Sequence, residues 1–91
     1  MQMTVRKAGK GGSLVNRNRS VDERLGARLR ELRKARKITL IQTAETLDIS
    51  YQMVQKYEKG ANRMAVSTLI DICKMLNCDP REFLDEHLMN D

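Results

Sequence analysis

Aromatic residues are nearly absent from this 91-residue chain: Tyr51, Tyr57 and Phe83 are all it has, and there is no tryptophan. The core has to be built from Leu, Ile, Val, Met and Ala, which suits helix packed on helix. Pro80 is the single proline and β-branched runs are missing, so little interrupts a helix and little favours a sheet. No apolar stretch approaches the ~20 residues that cross a bilayer, and the N-terminus lacks the apolar segment of a secretory signal. Two cysteines and one histidine, His87, are too few to complete a zinc site. Cys73 reads as a small core residue and Cys78 as a residue just past a helix end, with no need for their side chains to face each other. Reduced thiols fit a cytoplasmic setting. There are no paired carboxylates in an apolar setting, and Gly9, Gly11 and Gly12 follow no strand, so they form no phosphate loop. The expectation is no enzyme, no cofactor, no metal and no small-molecule substrate.

What the chain has in quantity is positive charge, unevenly spread. Residues 1–37 hold twelve Lys or Arg against Asp22, Glu23 and Glu31; residues 38–91 hold five bases against nine acids. A basic front half points to a polyanion partner, and solubility alone is the plainer explanation. Residues 1–19 carry three glycines, five bases and no acid, without periodic pattern. They read as a flexible basic arm, either touching phosphates or merely solubilising.

Residues 20–91 read as one all-α domain of five helices. Ser20-Val21-Asp22-Glu23 has the form of a capping box, starting a helix from about Val21 to Ala35 with Leu25, Leu29 and Leu32 on one face. Thr39, with Gln42 three residues on, caps a second helix, about Leu40 to Leu47, with Ala44 and Leu47 inward. Asp48-Ile49-Ser50 makes a turn, Ile49 plugging the core and Ser50 capping a third helix, about Tyr51 to Lys59, with Val54 and Tyr57 inward. Gly60 stops it. After Ala61-Asn62-Arg63 comes a fourth helix, about Val66 to Leu76, with Val66, Leu69, Ile72, Cys73 and Leu76 inward and Asn77 as a left-handed stop. Asp79-Pro80-Arg81-Glu82 opens a fifth, with Phe83, Leu84 and Leu88 apolar.

Two short helices joined by a three-residue turn carry the functional signal. A small Ala44 lets the third helix cross the second closely, and Ile49 and Val54 pack at the crossing. Tyr51, Gln52, Gln55, Lys56 and Lys59 are then left without a core role. Gln can pair with an adenine edge and Lys with guanine O6 and N7. A merely solvated face would also be polar, but would commonly include Glu, and this stripe holds none.

The stretch from Leu25 to Leu88, about 64 of 91 residues, resembles the helix-turn-helix family of phage repressors, Cro and the Xre-like regulators. The resemblance lies in Leu29-Arg30-Glu31-Leu32-Arg33, Thr39, Ala44, Asp48-Ile49-Ser50, Val54 and Glu58-Lys59-Gly60. It implies a compact lambda-repressor-like fold, base reading by Tyr51, Gln52, Gln55 and Lys56, and phosphate contacts by Thr39, Lys59, Asn62 and Arg63. It also implies that Glu58 is a structural acid pairing with Arg30 or Arg33. Leu40 departs from the family pattern where a phosphate-holding Gln is common, and Thr43 stands where Leu is usual. Free amides at the second helix start can still meet a phosphate.

The function expected is a sequence-specific DNA-binding transcriptional regulator, a repressor acting as a homodimer on double-stranded DNA. It would be cytoplasmic, bacterial or phage-encoded, and associated with the nucleoid. Two alternatives stand beside it: the antitoxin of a toxin–antitoxin pair, and a protein-interaction module using the acidic C-terminal helix, either of which would need a protein partner. Self-association is expected through Leu88 and Met89, beyond a Phe83 that enters the domain's own core.

Overall fold

The computed structural model describes residues 13–84 and, among these, only helices: α1 (Ser13–Ala35), α2 (Leu40–Leu47), α3 (Tyr51–Glu58), α4 (Val66–Leu76) and α5 (Pro80–Phe83). The starts of α2 to α5 and the ends of α1 to α4 fall within a residue of the positions read from sequence. Two ends depart: α5 stops at Phe83, with Leu84 as its C-cap and no longer helical, and α1 starts early. Ser20 does not cap it but lies inside it, seven residues after Ser13. Between Ser13 and Ser20 no Gly or Pro breaks the chain, whereas Gly9, Gly11 and Gly12 precede it. Absence of a breaker outweighs a local capping pattern. The Glu23 carboxylate does not reach back toward Ser20; it faces Arg19, one turn away at 3.9 Å. Residues 13–19 of the expected arm are therefore helical. Residues 1–12 lie outside the described residues, as do Asp85, Glu86, His87, Leu88 and Met89, on which the expected self-association surface falls.

Four helices stop in the same way. Lys37, Asp48, Gly60 and Asn77 each take a left-handed conformation, with φ of 58°, 57°, 74° and 54°. The amide of the next residue reaches back five positions in each case: Ile38 to Arg33, Ile49 to Ala44, Ala61 to Lys56 and Cys78 to Cys73, all at 2.9–3.0 Å. This is the Schellman ending, in which the residue after the left-handed position folds back over the last helical turn. It has a consequence at α4. Cys73 and Cys78 are the two residues that this ending brings together, through the Cys78 amide and the Cys73 carbonyl. Burial, then the neighbouring Cys78 thiol, push the Cys73 pKa up to about 11. Both cysteines are free.

The core joins all five helices: Leu29 and Leu32 of α1, Ala44 of α2, Val54 of α3, Ile72, Cys73 and Leu76 of α4, and Phe83 of α5. Leu25, Leu47, Tyr57 and Leu69 close its edges. Val66 departs from expectation. Its spacing puts it on the inward stripe, yet it is 73% exposed, because the first turn of α4 extends past the elements that cover the rest. Thr43, the family departure, is fully buried, and its hydroxyl donates to the Thr39 carbonyl at 2.9 Å, so the polar group has a partner inside its own helix. Arg36 donates from Nε to the Leu76 carbonyl at 2.6 Å, tying the end of α1 to the end of α4.

Candidate nucleic-acid interface

α2 and α3 are each started by a side chain. The Thr39 hydroxyl oxygen accepts the Gln42 amide at 2.9 Å, and the Gln42 side-chain oxygen accepts the Thr39 amide at 2.8 Å, a complete capping box. Because Thr39 Oγ1 acts here as an acceptor, its own proton is left to donate outward. At α3 the Ser50 hydroxyl accepts the Met53 amide at 3.1 Å. α2 packs against α3, and Ala44 and Val54 are buried at 6% and 0% exposed, with Ile49 of the turn half-buried.

That packing divides α3 cleanly. Val54 faces the core; Tyr51, Gln52 and Lys56 are exposed, as is Lys59 at the C-cap, while Gln55 is half-buried. Glu58 is the sole acid of α3, and its side chain is only 7% exposed. Its carboxylate accepts from Arg33 Nε at 2.6 Å and from the second guanidinium nitrogen at 3.3 Å, a two-pronged pair. Arg33 also donates to the Ile38 carbonyl at 2.8 Å, so both ions find partners within the fold. Of the two arginines the resemblance suggested, Arg33 is thus the buried partner; Arg30 stands 4.0 Å away and is 59% exposed. The exposed face of α3 therefore presents hydrogen-bonding and cationic groups and no carboxylate.

The loop after α3 is held from three sides. Gly60 lies against α1 so closely that a Cβ there would sit 2.5 Å from the Glu23 Cα. Half-buried Asn62 donates from Nδ2 to the Met53 sulfur at 3.0 Å. Arg63 donates from Nε to Asp22 at 3.3 Å; the arginine side chain is 67% exposed and the aspartate 13%. The expected phosphate contacts Lys59, Asn62 and Arg63 thus lie on one short loop braced against α1, and Thr39 sits apart at the start of α2. Sequence reading gave Asp22 a role only at a helix start and missed its link to Arg63. It also passed over Gly26, whose missing Cβ lets α1 approach the Tyr57 and Glu58 carbonyls, the latter 2.6 Å from where a Cβ would be. A lone glycine inside a helical pattern was the available signal.

The HTH_3 helix-turn-helix family model matches residues 29–83, the span from the first buried leucine of α1 to Phe83 of α5. The chain belongs to the helix-turn-helix family. An HTH-type transcriptional regulator of Sinorhizobium fredii is 35% identical over 69 residues, covering 76% of this chain and 48% of the relative. A transcriptional regulator in the ATPase CF(0) region of Rhodospirillum rubrum is 41% identical over 56 residues, 62% of this chain and 52% of its own. The chain thus spans about half the length of these relatives. Among solved structures, the clp gene regulator ClgR from C. glutamicum superposes with a TM-score of 0.68 at 28% identity, covering 70% of this chain and 83% of that one. The restriction-modification controller protein C.AhdI from Aeromonas hydrophila gives 0.66 at 25% identity, covering 70% and 97%. Among the described residues no cluster of His, Cys, Asp or Glu is arranged to hold a metal ion, and no helix is long and apolar enough to cross a membrane.

Proposed function

We propose that the chain is a sequence-specific DNA-binding transcriptional regulator that acts as a repressor, working in the cytoplasm on double-stranded DNA. Helix α3 enters the major groove. Tyr51, Gln52, Gln55 and Lys56 face base edges, and Thr39, Lys59, Asn62 and Arg63 grip the flanking phosphates. Two copies bind an inverted repeat with half-sites about 10 bp apart, centre to centre. The observation that carries this reading is the withdrawal of Glu58: the one acid of α3 is paired and buried, which leaves a reading face free of negative charge.

The test begins with selection of a preferred site from random DNA. Gln52→Ala should then cost about 1–3 kcal/mol on that site and relax preference at one position, with little change on random sequence. Lys59→Ala should weaken binding to every sequence alike and lower the salt slope by about one counterion. Equal losses for Gln52→Ala on selected and random DNA would remove Gln52 from base reading.

A further inference from the structure

An arginine already paired to a carboxylate is an awkward phosphate ligand, unless the pairing presents it. The Arg63–Asp22 contact uses one nitrogen, Nε; the two terminal nitrogens make no hydrogen bond to the described residues, and the side chain is 67% exposed. The aspartate is the reverse, 13% exposed, its carboxylate set into the surface of α1 under the loop. The loop leading into Arg63 is held by Gly60 pressed onto Glu23 and by the Asn62 side chain bonded to Met53. Asp22 thus holds a planar guanidinium by its Nε, and the terminal donors stay available on a side chain that is 67% exposed.

We propose that Asp22 is a positioning residue for DNA binding: it fixes the Arg63 guanidinium in the orientation that meets a backbone phosphate. This rests on the reading of Arg63 as a phosphate contact. The proposal runs against simple electrostatics, since removing an acid from a DNA-binding surface should tighten binding. Two effects compete when Asp22 is lost. The carboxylate no longer repels the phosphate, a repulsion that its paired Arg63 guanidinium already screens. Arg63 also becomes a freely rotating side chain that has to be ordered on binding, which costs roughly two- to tenfold in affinity. Because the first effect is screened, the second prevails.

The experiment compares Asp22→Ala with Asp22→Asn, by titration of the full chain onto a random-sequence duplex across a salt series. Asp22→Asn removes the charge and keeps an oxygen that can accept from Arg63 Nε. Asp22→Ala removes both. The expected result is binding about fivefold weaker for Asp22→Ala, and binding at least as tight as wild type for Asp22→Asn. Asp22→Ala should also have no further effect in an Arg63→Ala background, since the loss passes through Arg63. Tighter binding by both variants would make Asp22 an electrostatic brake and overturn the proposal. So would unchanged binding by both, or a loss that persists without Arg63. If Arg63→Ala alone leaves affinity and salt slope unchanged, the reading of Arg63 itself fails, a separate outcome. Should Asp22→Ala fold poorly, the Arg63 Nε–H resonance gives a second measurement. It should be protected from solvent exchange in wild type and Asp22→Asn, and equally rapid exchange in an unbound arginine and in wild type would overturn the proposal.

Discussion

Replacing Gly26 by alanine sets two well-known effects against each other with opposite signs. Within a helix, alanine is favoured over glycine by about 1 kcal/mol, so on propensity alone Gly26→Ala stabilises. The structure argues the other way. A Cβ at position 26 would lie 2.6 Å from the Glu58 carbonyl oxygen and closer still to that of Tyr57, both main-chain atoms of the last turn of α3. Neither can rotate aside. Restoring an ordinary separation of about 3.5 Å moves α1 and α3 apart by roughly 1 Å. Overpacking of that kind costs about 1–3 kcal/mol or more, and here it also strains the Arg33–Glu58 pair attached to the same turn. A net loss of about 2 kcal/mol is expected, which for a domain of this size lowers Tm by roughly 8–16 °C. Calorimetry or circular dichroism reads it directly. Ala27→Gly, at the exposed neighbouring position, serves as the control and should cost about 1 kcal/mol from propensity alone. A Gly26→Ala protein with Tm equal to or above wild type would refute the close approach of the two helices.

Lys37 is held at φ 58° by the Schellman ending of α1, so Lys37→Gly should stabilise by up to about 1 kcal/mol in chemical denaturation. Glu58→Ala leaves the Arg33 guanidinium, 9% exposed, without its carboxylate, and should cost about 3–5 kcal/mol. Replacing both partners, Arg33→Met with Glu58→Leu, should recover most of that loss. Cys73 titrates higher in the folded chain than in the unfolded one, so its contribution to stability is present below pH ~9 and is lost as pH rises toward about 11. The fall in stability between those values should be smaller in Cys73→Ala, and native Cys73 should react slowly with an alkylating reagent at pH 8.

What could be read from the sequence was whatever the chain encodes locally. Thr39 with Gln42 and Ser50 before Tyr51 mark helix starts through their own hydrogen bonds, and Asn77 with Pro80 brackets a stop and a start. Ser20 carried the same kind of mark and was overruled, since a cap satisfies amides only where the helix begins, and nothing before Ser20 back to Ser13 makes it begin there. Contacts made across the fold were legible only in part. Arg33, at four residues from Leu29, lies on the buried stripe of α1 and Arg30 does not, so the partner of Glu58 was open to decision from spacing. The meeting of Cys73 and Cys78 was likewise encoded in Asn77, because a left-handed stop folds its successor back onto the turn before it. No local pattern points from Asp22 to Arg63, whose bond spans 41 positions and depends on how α1 crosses the loop.

These cross-fold contacts share an origin. Asp22, Gly26, Leu29 and Arg33 follow one another at intervals of four, three and four residues, which places them along one stripe of α1. Asp22 meets Arg63 of the loop, Gly26 meets the carbonyls ending α3, Leu29 enters the core, and Arg33 takes the Glu58 carboxylate. A helix that supplies none of the proposed base contacts thus sets the height, tilt and exposed charge of the helix that does. α3 is eight residues long, too short to hold its shape alone in water, so its readiness to fit a groove comes from that stripe. Substitutions along the stripe should accordingly weaken binding to all sequences together, whereas substitutions on the outer face of α3 should change which sequence is preferred.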